Sequence, residues 1–129
     1  MRKAIMVPGA VSPAGHYSHA VIANGFVFVA GQGPADPATR EVKGTFEDQV
    51  QQTLANLQTI LKGAGADLGD MVKVTVFLSD ITLFKRYDAV YREMVPAGPA
   101  ARTTVAAMLN NIDIEIDCIA ALPQQPPSD

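Results

Sequence analysis

Residues 112–117 read Ile112-Asp113-Ile114-Glu115-Ile116-Asp117, a strict alternation of apolar and acidic side chains. Successive side chains of a β-strand point to opposite faces of a sheet, so this period of two predicts a strand with one buried face. The strand is predicted to continue to Ala121. Such alternation is typical of a sheet that a second layer covers on one face.

A second predicted strand, Arg102–Leu109, precedes it and is separated from it by Asn110-Asn111. A two-residue turn at these asparagines would pair the two strands in antiparallel order and place Val105 opposite Ile116. This register makes one face wholly apolar, and that face is predicted to meet the helices. The opposite face would carry these residues: Arg102, Thr104, Ala106, Met108, Asp113, Glu115 and Asp117.

Upstream, Asn24-Gly25 lies between the β-prone runs Ala20–Ala23 and Phe26–Ala30, a pattern that favours a tight hairpin turn. Thr45 and Asp48 resemble a capping box and predict the start of a helix that Gly63 and Gly65 end. The helix carries an apolar stripe at steps of three and four residues: Phe46, Val50, Leu54, Leu57, Leu61 and Ala64.

Met71–Leu78 is rich in β-branched residues and predicts another strand, after which Asp80 is predicted to cap a second helix. Candidate inward residues of that helix are Ile81, Phe84, Tyr87, Ala89, Val90 and Tyr91. The element order is ββαβαββ, with a short additional strand near Lys3–Met6. We therefore predict an α+β fold, a two-layer sandwich of a mixed sheet with two helices on one face. One domain is expected over residues 1–122, followed by a flexible C-terminal tail at 123–129.

Composition excludes several classes of protein. Hydrophobic residues make up 48% of the 129 residues, which is enough for one folded domain, and a net charge of −3 argues against general nucleic-acid binding. Cys118 is the single cysteine and is predicted to be a buried structural thiol. The longest apolar run is interrupted at Asn24-Gly25, so no membrane helix is expected, and we predict a soluble cytoplasmic protein.

The second face of the predicted sheet is too apolar to be fully exposed. It includes Val21, Phe26, Phe28 and Ala30, and the sequence offers no third layer to cover it. We therefore predict a homo-oligomer that packs through its sheets, with pockets between subunits.

Arg102 and Glu115 are the candidate chemical groups. An arginine fork binds a carboxylate through two parallel hydrogen bonds, and a nearby carboxylate can orient a water molecule. The pair suggests a small site for an anionic substrate that water attacks, although Arg102 by itself also fits a salt bridge at a surface or interface. His16 and His19 flank Tyr17 without a third metal ligand, so no metal site is expected. Both are interpreted as solvated loop histidines, and the alternative is a histidine at the edge of the pocket that tunes the choice of substrate.

Several segments resemble the Rid family of reactive intermediate deaminases, of the enamine/imine deaminase type. The matching segments, in chain order, are Pro13–Ala20, Val29–Gln32, Gln49–Leu61, Ala64–Leu78, Phe84–Tyr91, Pro99–Arg102 and Ile114–Ile116. The resemblance implies a chorismate-mutase-like fold and a homotrimer with three sites at subunit interfaces. It also implies hydrolysis of 2-enamino or 2-imino acids to 2-keto acids and ammonia, without a metal or organic cofactor.

The resemblance also implies roles for individual residues. Arg102 matches the carboxylate-binding arginine and Glu115 the water-orienting glutamate. Gly31 and Thr104 match positions whose backbone contacts the substrate, and Tyr17 matches an aromatic residue that lines the pocket. Asp88 is a further substrate-binding candidate, and it stands where many relatives have Asn. Ala30 replaces a common Ser and Thr104 a common Cys, and these departures bear on the identity of the substrate.

Two other functions remain open. A non-catalytic trimer that binds or senses small carboxylates would use the same Arg102, but it would not need a carboxylate such as Glu115 beside its anion site. Ribonuclease or translation-inhibitor activity, attributed to some relatives, is disfavoured by the acidic charge balance.

Overall fold

A computed structural model describes residues 2–124 of the chain. The predicted flexible tail therefore lies outside the described residues from position 125 onward. The strands are β1 (Arg2–Ile5), β2 (Ala20–Ala23), β3 (Phe26–Gln32), β4 (Met71–Leu78), β5 (Ala101–Ala106) and β6 (Ile114–Ala121). The helices are α1 (Phe46–Gly63) and α2 (Phe84–Met94), and short 3₁₀ turns occupy Leu68–Asp70 and Ile81–Leu83.

The six strands form one mixed sheet in the order β1-β2-β3-β6-β4-β5. All neighbours are antiparallel except β4 and β5, which are parallel. Because β3 and β4 both run antiparallel to β6, they share one direction, and α1 connects them across β6. The second helix connects the parallel pair β4 and β5, as parallel strands require. The predicted element order and the α+β class are confirmed, including the short N-terminal strand.

The predicted pairing of the last two strands is wrong. The central strand β6 lies between β3 and β4, whereas β5 pairs only with β4, at the edge of the sheet. Residues 107–113 do not form a tight hairpin, because they carry the chain across the end of β4. There the Ala107 N–H donates to the Leu78 carbonyl, and the Ser79 N–H donates to the Asp113 carbonyl. A central position suits β6, since its apolar residues fill the core and both of its edges find partners.

The helices cover one face of the sheet, as predicted. The capping box of α1 is present: Asp48 N–H donates to Thr45 Oγ1 at 3.2 Å, and Thr45 N–H donates to Asp48 Oδ2 at 2.9 Å. The core contains the predicted apolar stripe of α1 and the inward residues of β6, namely Phe46, Val50, Leu54, Leu57, Leu61, Ile114, Ile116, Cys118 and Ala120. Cys118 is 3% exposed, which confirms the predicted buried thiol, and this burial raises its pKa to about 12.

The start of α2 differs from the prediction. Asp80 accepts from the Thr82 N–H at 2.9 Å and caps the 3₁₀ turn rather than the α-helix, which begins at Phe84. Three of the predicted inward residues, Ile81, Phe84 and Ala89, are exposed, whereas Tyr87, Val90 and Tyr91 are buried. Within residues 2–124, neither helix combines the length and the apolar character that a membrane span requires.

The other face of the sheet has no covering layer among the described residues. Phe26, Phe28 and Val105 lie on it and are 40%, 43% and 40% exposed. Val105 was predicted to meet the helices, but it pairs in parallel with Phe77 on this open face. The face also carries Glu115 and Asp117, opposite Phe77 and Thr75. The predicted oligomer would cover it.

A bidentate ion pair joins the two helices and predicts that the stability of the fold depends on pH. Arg86 Nε and Nη2 donate to Glu47 Oε2 and Oε1, both at 2.8 Å, and these bonds lower the pKa of Glu47 to about 2. A carboxyl group whose pKa is depressed on folding stabilises the fold above its unfolded pKa, and this contribution is lost as the pH falls through the folded value. We expect Glu47→Gln to lower the urea midpoint at pH 7 and the difference from wild type to vanish towards pH 2.

The control is Glu93→Gln on α2, since Glu93 forms no ion pair with the described residues. A Glu47→Gln deficit that stays constant from pH 7 to pH 2 would contradict the assignment.

Candidate active site

Arg102 lies on the edge strand β5, and its side chain points into the helix layer. Its Nη2 donates to Asp88 Oδ1 of α2 at 2.8 Å. The guanidinium carbon lies 4.6, 4.9 and 5.5 Å from the ring centroids of Tyr91, Tyr87 and Phe84. These three rings form an aromatic shelf under the guanidinium, and each face attracts the cation. Arg102 is therefore held in one orientation by a carboxylate and three rings.

A cavity of about 490 Å³, here called the arginine cavity, opens beside this guanidinium. Its lining residues are Asp88, Tyr91, Arg92, Val95, Pro96, Ala97, Pro99, Ala100 and Arg102. Asp88 bridges the two arginines, because its Oδ2 accepts from Arg92 Nη2 at 3.2 Å. Two guanidinium groups and one carboxylate leave one net positive charge. Among the described residues only Asp88 accepts a hydrogen bond from Arg102, so the remaining N–H groups can bind a carboxylate monoanion.

Thr104 supports this arrangement from the same strand. Its hydroxyl forms a hydrogen bond with the Tyr87 hydroxyl, which fixes one ring of the aromatic shelf. Thr104 does not line the arginine cavity, and its predicted backbone contact with substrate stays a prediction. Burial raises the pKa of both Tyr87 and Tyr91, so the shelf is neutral at physiological pH.

The shelf was not recognised as part of a site from the sequence. Phe84, Tyr87 and Tyr91 recur at steps of three and four, and that spacing predicts inward residues of a helix. One signal in the sequence could have identified the aromatic shelf. It is the combination of three aromatic residues on one helix face with a candidate arginine on the following strand.

Glu115 lies on β6 and faces the open side of the sheet. Its carboxylate packs directly on Gly31 of β3, and a Cβ atom built on Gly31 would lie only 2.9 Å from Glu115 Oε2. Gly31 therefore allows the carboxylate to approach the backbone of the neighbouring strand. A cavity of about 280 Å³, here called the glutamate cavity, opens at this point and includes Tyr17, Arg40 and Ile112 in its wall.

The surroundings of Glu115 raise the pKa of its carboxyl group, which favours a role as a base. Partial burial is the main cause that raises the pKa of its carboxyl, and the negative charge of Asp117 on the same face raises it further. A carboxylate whose pKa is raised is a better proton acceptor than an ordinary surface glutamate.

One of the two histidines, His19, differs from the sequence interpretation. His19 is buried, not solvated: its Nδ1 accepts from the Val7 N–H at 2.8 Å, and its Nε2 donates to the Val11 carbonyl at 2.8 Å. Both ring nitrogens are used to hold the segment between β1 and β2. His16 is exposed, as predicted, and no group of three potential metal ligands occurs among residues 2–124. Tyr17 is half exposed, and its hydroxyl accepts from the Ala14 N–H at 3.0 Å.

One chain does not bring Arg102 and Glu115 together. They were predicted to share a face on neighbouring strands, but β4 separates β5 from β6. Arg102 faces the helices, whereas Glu115 faces the open side, and the two cavities share no lining residue. The candidate residues therefore form two half-sites: Arg102 and Asp88 in one cavity, and Glu115, Gly31 and Tyr17 in the other. A site that uses both halves needs two chains.

The packing of Glu115 on Gly31 can be tested by adding one methyl group. Gly31 does not adopt a positive φ, so Gly31→Ala is compatible with the backbone, but its Cβ would displace the Glu115 carboxylate. Because only the end of a flexible side chain must move, we expect the free energy of unfolding to change by less than about 1 kcal/mol. A crystal structure of the variant should show a displaced carboxylate, and urea denaturation should show the small stability change.

The matched control is Gly33→Ala, whose Cβ would lie 3.2 Å from Ile112 Cδ1 and not next to Glu115. An unmoved Glu115 carboxylate in Gly31→Ala would contradict the proposed contact.

The effect of Asp117 on the pKa of Glu115 can be tested by removing the charge of Asp117. Asp117 raises the pKa of Glu115 through like-charge repulsion, so Asp117→Asn should lower that pKa. Titration of the Glu115 carboxyl by ¹³C NMR measures the shift. Asp113→Asn is the control, because Asp113 accepts from Gln49 and Ser79 instead. A Glu115 pKa that stays unchanged or rises in Asp117→Asn would overturn this account.

Comparisons with known proteins identify the family. A family model described as endoribonuclease L-PSP matches residues 8–122. A RutC family protein of Pyrococcus horikoshii is 42% identical over 123 residues, which cover 93% of this chain and 98% of that protein. The chloroplastic Reactive Intermediate Deaminase A of Arabidopsis thaliana is 42% identical over 118 residues, which cover 89% of this chain and 62% of that protein.

Solved structures show the same fold. The crystal structure of RidA from the Antarctic bacterium Psychrobacter sp. matches with a TM-score of 0.88 at 30% identity and covers 93% of this chain and 99% of that one. The structure of E. coli TdcF with bound serine matches with a TM-score of 0.85 at 29% identity and covers 94% and 99%. On the family match and these identities, the chain belongs to the Rid family, as its sequence motifs predict.

Proposed function

We propose that this protein hydrolyses reactive 2-enamino and 2-imino acids to 2-keto acids and ammonia, at sites shared between the subunits of a homotrimer. The observation that carries the proposal is the pair of complementary half-sites. One holds an oriented arginine beside a cavity with net positive charge, and the other holds a carboxylate whose pKa is raised. The first half-site would bind the substrate carboxylate, and the second would act on water, so the reaction needs both.

The open face of the sheet supports an assembly of several chains. Phe26, Phe28 and Val105 are partly exposed on it, and a neighbouring subunit would bury them. The arginine cavity lies near the edge strand β5, and the glutamate cavity opens on the uncovered face. A head-to-tail ring of three chains would place each arginine cavity against the glutamate cavity of the next chain. This is also the assembly that the family resemblance implies.

The proposed reaction begins with binding of the substrate. Arg102, held by Asp88 and the aromatic shelf, would bind the substrate carboxylate through its free N–H groups. This contact would place C2 of the imine beside Glu115 of the neighbouring subunit. The backbone near Gly31 and Thr104 and the ring of Tyr17 would complete the wall of the site.

Glu115 would then act on water. It accepts a proton from water as the water oxygen bonds to C2 of the protonated imine, and the C=N π electrons move to nitrogen, giving a neutral tetrahedral carbinolamine. Glu115 then returns this proton to the nitrogen. The C–N bond breaks and ammonia leaves with the bonding electrons, while the C2 hydroxyl gives its proton back to the Glu115 carboxylate and becomes the carbonyl. An enamine substrate enters through its imine tautomer. The imine carbon is already electrophilic, so this sequence requires no metal or organic cofactor.

The names and titles of relatives support the same chemistry. The Arabidopsis relative is called a reactive intermediate deaminase. E. coli TdcF was crystallised with serine, which has a carboxylate next to a carbon that bears nitrogen, as 2-imino acids do.

The second candidate is a non-catalytic trimer that binds small carboxylates. It is favoured by one observation, because the arginine cavity is formed within one chain and carries net positive charge without Glu115. The raised pKa of Glu115 has no purpose in such a binder. The net charge of −3 continues to disfavour a ribonuclease, despite the description of the family model.

A coupled assay distinguishes turnover from binding. An amino-acid oxidase generates the imine, semicarbazide traps it, and the protein competes with the trap. We expect Glu115→Gln to lower kcat by about 10²-fold or more, the usual contribution of a general base. Its thermal midpoint at pH 7 should not fall, because ionising a carboxyl group whose pKa is raised on folding destabilises the fold. If Glu115→Gln is as active as wild type, the role of Glu115 is wrong, and an inert wild-type protein that binds pyruvate favours the binder.

Mixed trimers test whether two chains share each site. We expect Arg102→Ala and Glu115→Gln to be inactive separately. Refolded together in equal amounts, the two variants should recover about a quarter of wild-type activity. Random mixing puts both variants in about three quarters of the rings, and each such ring has one intact arginine–glutamate pair among its three sites. Sedimentation velocity of each preparation checks the trimer. No recovery in verified mixed trimers would contradict a shared site.

A further inference from the structure

We propose that Arg40 selects substrates with a second carboxylate, so that the preferred imines derive from dicarboxylic amino acids. This inference rests on the proposed function and adds a substrate class to it. The observation is the position of Arg40 in the wall of the glutamate cavity, in a backbone conformation that arginine rarely adopts.

The backbone of Arg40 is in the left-handed region, with φ of 64°. Glycine adopts this conformation without steric cost, whereas a long L side chain does not. The surrounding loop holds it there: Arg40 N–H donates to the Asp36 carbonyl at 2.8 Å, and Asp36 N–H donates to the Glu41 carbonyl at 2.9 Å. Asp36 Oδ1 also accepts from the backbone of Ala38 and Thr39. Strain of this kind concentrates at functional positions.

Arg40 is the one cationic side chain in the described wall of the glutamate cavity. Glu115 is the one acidic group there, and His19 uses both ring nitrogens in its own hydrogen bonds. The ion pairs found among residues 2–124 do not include Arg40, so its guanidinium is not in contact with a described carboxylate. The cavity therefore offers an exposed cation to whatever enters it.

The expected orientation of the substrate makes this cation a selector. With the C1 carboxylate at Arg102 of one subunit and C2 beside Glu115 of the next, the substrate side chain extends into the glutamate cavity. Much of its wall is uncharged, including Val11, Pro13, Ala14 and Ile112. A terminal carboxylate would meet Arg40 and form a charge-assisted pair, whereas a cationic side chain would be repelled.

Arg40→Gly tests the proposal, because glycine removes the guanidinium and tolerates the positive φ, so the fold should be retained. The readout is kcat/KM for the imines of glutamate and of alanine, each generated by an amino-acid oxidase. We expect the glutamate-to-alanine ratio to fall by about tenfold in Arg40→Gly, because one charge-assisted contact is lost for glutamate only. Lys43→Gln is the matched control: it removes the same charge from the same loop but lies outside the glutamate cavity, and its ratio should equal that of wild type.

An unchanged ratio in Arg40→Gly, or an equal loss for both imines, would overturn the selector role while leaving the deaminase proposal intact. If wild type hydrolyses no imine, the proposed function fails, and binding decides the inference. In calorimetry, wild type should bind 2-oxoglutarate more tightly than pyruvate, and Arg40→Gly should lose that preference. Equal affinity of wild type for the two keto acids would refute the role of Arg40.

Discussion

The central position of β6 is the constraint that places Glu115 and that separates its strand from the strand of Arg102. Ile114, Ile116, Cys118 and Ala120 fill the core under the helices, and β6 pairs with β3 on one side and β4 on the other. With the apolar side fixed inward, the period of two sends Glu115 and Asp117 to the opposite face. A slip of one residue would bury both carboxylates in the core, which no described cation there could compensate. The hydrophobic core therefore sets the position of the acid.

Arg102 is placed by a different set of contacts. The edge strand β5 follows α2 in a parallel crossover, so its inward side chains meet that helix and not the open face. The aromatic shelf and Asp88 make a partly buried guanidinium tolerable, because the rings and the carboxylate replace the water that it loses. Tyr87 and Tyr91 of α2 therefore belong both to the hydrophobic core and to the candidate site.

The main candidate groups of the two half-sites, Arg102 and Glu115, carry opposite charges. The arginine cavity carries net positive charge, while Glu115 and Asp117 put like charges on one strand of the open face, where Asp117 raises the pKa of Glu115. Contact between the two surfaces would relieve both imbalances and bury the exposed aromatic residues in the same step. In the proposed assembly, therefore, the same contact between subunits forms the oligomer and completes the catalytic site.

Local sequence determined the elements of this protein and its candidate groups. The capping pair Thr45 and Asp48, the apolar stripe of α1 and the alternation through Glu115 each specify structure within a few residues, because helix and strand periodicity are local. Only the tertiary structure decided that β6 lies between β3 and β4 and that Arg102 faces the helices. Strand pairing joins residues far apart in the chain, and the short stretch at Asn110-Asn111 fits a tight turn as well as it fits a crossing over β4. The aromatic shelf could not be predicted for the same reason, because Phe84, Tyr87 and Tyr91 contact Arg102 only when β5 packs beside α2.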